Sequence, residues 1–226
     1  MIIFLILAAA VLPTAYFVLG QAKFGKAPSG ERLERILKSP HYKNGKFNNL
    51  NPTPQLAEDT SMPEIMFRFL FGKTPDKRPA QEFHFQKTDL KKLDPSQNAY
   101  VWMGHSSYFM QIDGKKILVD PVLSGYASPF SFTGKAFRGT DLYKPEDIPE
   151  LDYLIITHDH WDHLDYKTVL KLFPKTKKII TGLGTAEHLE YWGYNPKNIV
   201  ELDWFESSDL GEGFKVTAEP ARHFSG

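Results

Sequence analysis

The sequence predicts an α/β fold, because strand-like and helix-like patterns of apolar residues alternate along the chain. Downstream of residue 98, short apolar runs of strand length alternate with segments in which apolar residues recur at helical spacing. Alternating strands and helices are typical of a sheet with helices packed against it. A separate apolar segment, residues 1–20, predicts a hydrophobic helix before this domain, and residues 21–97 connect the two.

Residues 1–20 contain no charged side chain and have about the length of the roughly 20 residues that span the hydrocarbon core of a bilayer. We therefore expect a membrane anchor rather than a helix buried in the domain, because the segment has no polar face. An exported protein with a cleaved signal peptide is the alternative, but no Lys or Arg precedes the apolar run. Four cations follow the segment: Lys23, Lys26, Arg32 and Arg35. By the positive-inside tendency, they predict a cytoplasmic domain held at a membrane.

Residues 21–97 are rich in Lys, Pro and Asn and predict a linking extension with short helices. An amphipathic helix is expected over residues 29–38, with Pro40 ending it. A second apolar cluster occupies residues 62–71. We expect this cluster to be a helix packed on the domain, and the alternative is a helix that lies on a membrane surface.

Residues 98–226 contain the elements of the α/β domain. Six strands are predicted, over residues 100–103, 108–112, 116–119, 151–156, 179–181 and 214–219. Helices are predicted over residues 164–172 and 185–192. Asp113 and Gly114 favour a tight hairpin turn between the second and third strands.

The composition excludes several classes of function. Basic and acidic side chains balance at 27 each, so no basic field is present to recruit nucleic acid. The chain has no cysteine, which excludes disulfides, thiolate chemistry and iron–sulfur clusters. Aromatic residues make up 14% of the chain, which is enough to build a hydrophobic core.

The strongest chemical signal lies between His158 and His163, where three imidazoles and two carboxylates occupy six consecutive positions. Chance would place the pattern His-x-His-x-Asp-His in a chain of this composition with odds on the order of one in a thousand. The segment follows a predicted buried strand and precedes a predicted helix, so its side chains lie on a strand-to-helix loop. A polar turn that only caps the next helix is the alternative, and the rarity of the pattern argues against it.

This spacing predicts a metal site. Neutral imidazoles and carboxylates suit Zn²⁺ and related first-row ions, whereas structural zinc sites usually use cysteine. His158 and His160 can face one ion from an extended segment, and Asp162 and His163 can serve a second ion beside it. Two ions roughly 3.5–4 Å apart can activate a bridging water and hold both oxygens of a displacement, which describes a hydrolase.

The motif and three flanking segments resemble a known family. Residues 158–165 are similar to the metal-binding signature of the metallo-β-lactamase-fold hydrolases. Residues 101–107, 117–121 and 220–226 are similar to the branch that contains N-acylphosphatidylethanolamine-hydrolysing phospholipase D and the ascorbate-6-phosphate lactonase-like proteins. The resemblance runs from about residue 100 to the last residue, and it implies the N-terminal part of a four-layer αββα sandwich.

The resemblance also implies roles for individual side chains. It assigns one metal ion to His158, His160 and His223, and the other to Asp162 and His163, which are then the catalytic pair. It therefore implies two Zn²⁺ ions in the complete enzyme. Three further residues are candidates for positions next to the ligands: His105, Asp120 and Asp165. The alternatives are a hydrogen-bonded turn for His105, a cap of the loop for Asp120, and a helix cap or a solvated surface position for Asp165.

The family pattern requires a bridging Asp and one more His after the position of His223, where three residues remain. We therefore expect this chain to be the N-terminal part of a longer protein or a truncated product, with an under-coordinated second metal and no turnover of its own. We also expect one face of the sheet to be uncovered, because a second sheet is missing.

The sequence thus predicts a metal-dependent hydrolase with a lipid or other small-molecule substrate. The phospholipase-like branch implies a phosphodiester of an N-acylated phospholipid, and the lactonase-like branch implies a cyclic ester of a phosphorylated sugar. The predicted anchor and the aromatic loop at residues 126–143, which can wall an apolar pocket, favour the lipid. The alternative from another class is an inactive fragment or binding protein, which would hold one ion weakly or none.

Overall fold

The computed structural model describes residues 12–54, 56–72, 75 and 77–223. Within these ranges the chain forms the helices α1 (Gly30–Lys38), α2 (Met62–Phe71), α3 (Tyr166–Leu172) and α4 (Ala186–Tyr191). Its strands are β1 (Tyr42–Lys43), β2 (Lys46–Phe47), β3 (Ala99–Gly104), β4 (Ser107–Ile112), β5 (Lys115–Val119), β6 (Leu151–Ile156), β7 (Thr176–Gly182), β8 (Ile199–Leu202), β9 (Ser207–Gly211) and β10 (Phe214–Thr217). Strands β3 to β8 form one mixed sheet in sequence order, so the predicted α/β class is confirmed.

Strands β3, β4 and β5 are joined by two tight turns and pair antiparallel. In the turn between β4 and β5, Asp113 and Gly114 have φ angles of 47° and 76°. A two-residue hairpin turn of type I′ requires left-handed backbone at both central residues, and Asp-Gly adopts it at low cost. The predicted hairpin is therefore confirmed.

Strands β5 to β8 are parallel, and α3 and α4 connect β6 to β7 and β7 to β8. Parallel strands need such crossovers because each strand must start again from the same end of the sheet. The carboxyl ends of β5, β6 and β7 therefore meet at one edge, where Asp120, Thr157 and Leu183 directly follow them. In parallel sheets this edge is where ligand-binding loops gather.

The two faces of the sheet are covered to different degrees. The face toward α3 and α4 buries side chains that include Phe109, Leu118, Leu154, Val169 and Leu189. The opposite face packs against Leu210, Phe214 and Val216 of the β9–β10 hairpin. The expectation that this face is uncovered is therefore wrong in part, because two later strands fold back over it. Tyr100 and Trp102 of β3 stay exposed.

Helix α1 confirms the helix predicted over residues 29–38, and ion pairs tie it to α4 and β8. Arg32 donates from Nη1 to Glu187 Oε2 at 2.6 Å and from Nε to Glu201 Oε2 at 3.0 Å. It also pairs with Glu190. The Arg32 side chain is 16% exposed and that of Glu187 is 8% exposed. One largely buried guanidinium thus meets three carboxylates, and these charge-assisted hydrogen bonds fix the helix against α4 and β8.

Helix α2 forms at the predicted position, but its side chains face solvent. None of its ten residues is buried. Its exposed apolar side chains are Met62, Ile65, Met66, Phe67, Phe69, Leu70 and Phe71. The expectation that this helix packs on the domain is therefore wrong, because core contacts would remove most of that exposure.

The structure also corrects the predicted membrane anchor over residues 1–20. Among the described residues, no helix has both the length and the apolar character needed to cross a membrane. Residues 12–19 are helical, and eight helical residues rise about 12 Å, against a hydrocarbon core of about 30 Å. The transmembrane helix and the localisation inferred from it are therefore contradicted. Residues 1–11, on which most of the prediction rests, lie outside the described residues.

Candidate metal centre

The loop from His158 to His163 leaves the carboxyl end of β6 and folds into a turn before α3. The carbonyl of His160 accepts hydrogen bonds from the backbone N–H groups of His163 at 2.9 Å and Leu164 at 2.7 Å. This turn brings His163 back toward His158, and their ring centroids lie 4.0 Å apart. The predicted strand-to-helix loop is therefore confirmed.

Three imidazoles meet on one side of this loop, and we call His158, His160 and His223 the histidine cluster. His223 Nε2 lies 3.1 Å from His158 Nε2 and 3.1 Å from His160 Nδ1. Two nitrogen ligands of a tetrahedral zinc ion, with Zn–N bonds of about 2.0 Å, would lie about 3.3 Å apart. The spacing of these nitrogens therefore fits ligands of a single ion.

A second group of donors adjoins the first, and we call His105, Asp162 and His163 the mixed cluster. Asp162 Oδ2 lies 2.8 Å from His105 Nε2 and 3.7 Å from His163 Nε2. Within each cluster, ligand atoms from all three residues lie within 4.8 Å of one another. The structure thus brings together the five residues predicted as metal ligands, in the two groups that the resemblance implies. Their roles as ligands stay predictions.

His105 reaches the mixed cluster because of the turn between β3 and β4. Gly104 has φ of 101°, and a Cβ at this position would lie 2.8 Å from the carbonyl oxygen of Thr140. His105 itself has φ of 46°, and its carbonyl accepts a hydrogen bond from Trp102 Nε1 at 2.9 Å. The sequence suggested His105 as a neighbour of the ligands or a turn residue. It holds the turn position, but its ring also lies at ligand distance from Asp162.

Asp120 lies directly behind the mixed cluster and is 3% exposed. Its Oδ1 accepts the backbone N–H of Thr157 at 2.8 Å, and its Oδ2 accepts the Thr157 hydroxyl at 2.7 Å. His163 Nδ1 lies 2.8 Å from the same Oδ2. Because a carboxylate only accepts, His163 donates from Nδ1 and turns the lone pair of Nε2 toward Asp162. This geometry matches the predicted position of Asp120 beside a ligand.

Thr157 fixes the orientation of His158 in the same way. Its hydroxyl has a single proton, which goes to Asp120. His158 Nδ1, at 2.9 Å from Thr157 Oγ1, must therefore donate, so His158 Nε2 presents a lone pair to the histidine cluster. One buried carboxylate thus sets the proton positions of an imidazole in each cluster.

Asp165 does not share this arrangement. It is 7% exposed and caps α3 by accepting the backbone N–H of Lys167 at 3.2 Å and the Thr168 hydroxyl at 2.6 Å. Its Oδ2 also accepts the backbone N–H of Ser124 at 2.9 Å. Of the predicted alternatives, the structure shows the helix cap, and it excludes a solvated surface position.

The electrostatics of the two clusters favour metal-binding protonation states at neutral pH. Burial, followed by the neighbouring imidazoles of His163 and His160, lowers the pKa of His158 to about 4. Burial and His223 also lower the pKa of His160. Burial is the largest single influence on the pKa of Asp162 and raises it, but the hydrogen bond from His105, a backbone hydrogen bond and the charges of His163 and His105 together hold this pKa below its usual value. Neutral imidazoles and an ionised carboxylate are the forms that bind cations.

A cavity of 730 Å³ opens beside both clusters. Its polar wall includes His158, His163 and His223, and its apolar wall includes Ile155, Ile180 and Val216. The apolar side is the sheet face beneath the β9–β10 hairpin. The cavity therefore brings apolar surface and the imidazole nitrogens of the candidate site together.

Thr157 and His188 contact the motif, but the sequence did not reveal either. Thr157 directly precedes the motif, so its position was an available signal. His188 lies in α4, and its Nε2 is 3.9 Å from Asp159 Oδ2. No local pattern indicates this contact, because the crossover between β7 and β8 creates it.

Residues 115–226 match the family model described as a beta-lactamase superfamily domain. Through this domain the chain belongs to the metallo-β-lactamase superfamily, which confirms the resemblance seen at residues 158–165. The fold and the two donor clusters agree with this assignment and, with the relatives below, indicate a metal-binding protein.

The chain is similar to several curated proteins. It is 35% identical over 189 residues to an uncharacterized protein of Mycobacterium bovis, covering 83% of this chain and 50% of that protein. It is 34% identical over 132 residues to N-acyl-phosphatidylethanolamine-hydrolyzing phospholipase D 1 of Caenorhabditis elegans, covering 54% of this chain and 36% of that protein. It is 28% identical over 136 residues to a metal-dependent hydrolase of Aeropyrum pernix, covering 55% of this chain and 51% of that protein. The matched part thus spans about half the length of these relatives or less.

Proposed function

We propose that the complete protein is a zinc-dependent hydrolase. The observation that carries this proposal is the pair of adjoining donor clusters at the carboxyl edge of the parallel strands. Membership of the superfamily and the similarity to a protein named metal-dependent hydrolase support it. A complete four-layer αββα sandwich belongs to the same proposal. The exposed Tyr100 and Trp102 support it, because they leave apolar surface on the second face of the sheet.

In this proposal the histidine cluster holds one zinc ion and the mixed cluster holds the other. Imidazole and carboxylate donors without thiolate suit Zn²⁺, and the 3.1 Å spacing of the histidine nitrogens fits its tetrahedral geometry. When bound, the ions supply an activated water at neutral pH and polarise an oxygen of the substrate. Asp162 and His163, the predicted catalytic pair, act as ligands.

The remaining residues of the site keep the ligands ready for the metal. Asp120 and Thr157 hold protons on the imidazole nitrogens that face away from the clusters. The low pKa of His158 keeps its second nitrogen unprotonated at neutral pH. The ionised Asp162 adds a negative charge that offsets part of the charge of the ions.

For the substrate, we propose a phosphodiester of an N-acylated phospholipid. The printed name of the relative from Caenorhabditis elegans supports this class. The rings of Phe130 and Phe132 stack at 5.4 Å, and Phe24 lies 6.0 Å from Phe130 and 5.4 Å from Trp161. An aromatic wall therefore extends from the loop at residues 126–143 to the metal-binding loop, which suits an acyl chain. Nucleic acid is not favoured as a substrate, because the chain has 27 basic against 27 acidic residues and therefore no excess of positive charge to attract it.

The first test measures metal and activity on the intact gene product, purified without chelator. We expect close to two zinc ions per complete chain by elemental analysis. We also expect hydrolysis of an N-acylphosphatidylethanolamine that chelation abolishes and zinc restores. Asp162→Ala should lower the rate at least about a hundredfold while the circular dichroism spectrum is kept. His84→Ala, at an exposed histidine outside both clusters, is the matched control and should keep the parent rate.

The possible outcomes separate the alternatives. Parent-like turnover in Asp162→Ala would contradict the ligand assignment. A protein that takes up no zinc would overturn the proposal as a whole. One weakly held ion without turnover would indicate an inactive fragment or a binding protein, and hydrolysis of a phosphorylated sugar lactone in place of the phospholipid would assign the lactonase activity.

A further inference from the structure

Residues 22–49 cross the domain and touch the metal centre at both ends, and we call this segment the N-terminal strap. It contains α1, β1 and β2. The ion pairs of Arg32 with α4 and β8 hold its middle. Arg35 continues the attachment by pairing with Glu206 and by donating from Nη1 to the carbonyl of Glu201 at 3.0 Å. The middle of the strap is therefore fixed to α4, β8 and Glu206, and this attachment holds both ends of the strap in place.

The second end of the strap is a tight hairpin that presents Asn49. Asn48 closes the hairpin, because its Nδ2 donates to the carbonyls of Lys43 at 3.0 Å and Lys46 at 2.8 Å. Its backbone N–H also donates to the carbonyl of His41 at 2.9 Å. The ring of His41 packs 4.9 Å from that of Trp204, which ties the hairpin to the turn after β8. The backbone that leads into Asn49 is thus held on two sides.

Asn49 contacts the main chain of a predicted metal ligand. Its Oδ1 accepts the backbone N–H of His223 at 3.1 Å. The ring of the same His223 lies at 3.1 Å from both other members of the histidine cluster. A metal site requires ligand positions accurate to about 0.5 Å, and a bond to the ligand's own backbone constrains that position directly.

The first end of the strap contacts Trp161 directly and reaches Asp159 through His188, and neither motif residue is a predicted ligand. Phe24 packs edge-on against Trp161, with ring centroids 5.4 Å apart. The backbone N–H of Lys26 donates to His188 Nδ1 at 3.0 Å, so His188 carries its proton on Nε2, which faces Asp159 Oδ2 at 3.9 Å. The strap therefore braces the loop that carries His158 and His160.

We infer that the N-terminal strap positions the histidine cluster for its metal ion and that Asn49 is the positioning residue for His223. This inference rests on the proposed function, because it needs the histidine cluster to bind a metal. It goes beyond that function by assigning a role at the centre to residues that precede the superfamily domain at residues 115–226.

The test compares zinc affinities of the 226-residue chain by competition with a chromophoric chelator. We expect Asn49→Ala to weaken the histidine-cluster site about tenfold and to change the visible absorption of the Co²⁺-loaded chain. The thermal midpoint of the metal-free chain should fall by no more than about 2–4 °C, the effect of one lost hydrogen bond. Asn49→Asp keeps the acceptor and should restore both the affinity and the spectrum. Asn51→Ala and Asn51→Asp, at an exposed site two residues further on, control for the loss of an amide and the gain of a charge.

Each contrary result overturns the inference in a recognisable way. Parent-like affinity in Asn49→Ala, or an Asn49→Asp variant as weak as Asn49→Ala, removes the positioning role and leaves the proposed function standing. An affinity loss matched by a fall of more than about 10 °C in the metal-free midpoint assigns Asn49 to general stability instead. A parent chain that binds no zinc overturns the inference, and the same result with the intact gene product overturns the proposed function as well.

Discussion

The two clusters of the candidate metal centre are held by different parts of the chain. The mixed cluster is built locally at one edge of the sheet, by the turn between β3 and β4 and by the buried Asp120. The histidine cluster takes its third member, His223, from a segment that the N-terminal strap holds. A local cluster inherits its order from strand pairing, whereas the other cluster depends on contacts between distant parts of the chain. Substitutions should therefore separate the two clusters.

Asp120 orients one imidazole of each cluster, so its removal should have the largest effect. Asp120→Ala leaves three donors without an acceptor: the backbone N–H and hydroxyl of Thr157, and His163 Nδ1. We expect a loss of roughly 3–5 kcal/mol in the free energy of unfolding, because breaking a buried charged network costs about this much. We also expect both ions to bind more weakly. Urea unfolding and metal analysis measure the two effects, and a loss of only one ion would show that the clusters are supported independently.

Single ligand substitutions should separate the clusters most clearly. His160→Ala should weaken one zinc site and His105→Ala the other, each by about a hundredfold, which corresponds to about 2.7 kcal/mol. Calorimetric titration should then show one tight site and one weak site in each variant. His84→Ala should bind both ions like the parent. If His105→Ala keeps two tight sites, His105 is a turn residue and the mixed cluster has two members from this chain.

Acid should weaken the metal-free fold in two ranges of pH: an upper range set by the histidine cluster, and a lower range to which Asp162 contributes together with other carboxyl groups of lowered pKa, such as Asp152 and Glu187. The pKa of His158 is about 4 in the fold, mainly because of burial, against 6.5 as its usual value. Between these two values the unfolded chain binds a proton at His158 and the folded chain does not. The free energy of unfolding is therefore highest above pH 6.5 and falls as the pH drops toward 4. Asp162 has a pKa below its usual 3.8, so its contribution is lost only at lower pH.

Urea midpoints measured with chelator between pH 7.5 and pH 3 would resolve these steps. His158→Gln should reduce the upper step, to which His160 also contributes, and leave the lower one. A urea midpoint that stays level or rises as the pH is lowered from 6.5 to 4.5 would contradict the neutral state of the histidine cluster.

The sequence predicted those parts of this centre that short segments determine. The strand before the motif, the loop and the following helix were all predicted, because the buried run 151–156 and the spacing of the histidines are local patterns. The dipeptide Asp113-Gly114 likewise predicted its hairpin turn from these two residues alone. Strands β8 and β9 were missed, since they are short and alternate weakly between polar and apolar residues.

Long-range contacts account for the other differences. Residues 21–97 read as a linking extension by composition, yet Arg32 reaches three carboxylates of α4 and β8 that no local pattern connects to it. His188 approaches Asp159 for the same reason. Helix α2 shows the opposite error, because its apolar sequence indicates burial, whereas the described residues around it supply no cover.

The smallest expected effect concerns Asp165, which lies two residues beyond His163 but caps α3. Asp165→Ala removes a helix cap and should lower the free energy of unfolding by about 1–2 kcal/mol. Zinc affinity at both clusters should stay at the parent value, because the Asp165 carboxylate bonds to Ser124, Lys167 and Thr168 and to none of the ligands. Asp165→Asn keeps an acceptor and should recover most of the stability. A tenfold weaker zinc site in Asp165→Ala would instead show that the cap transmits order to the motif, and the mixed cluster would then depend on α3 as the histidine cluster depends on the strap.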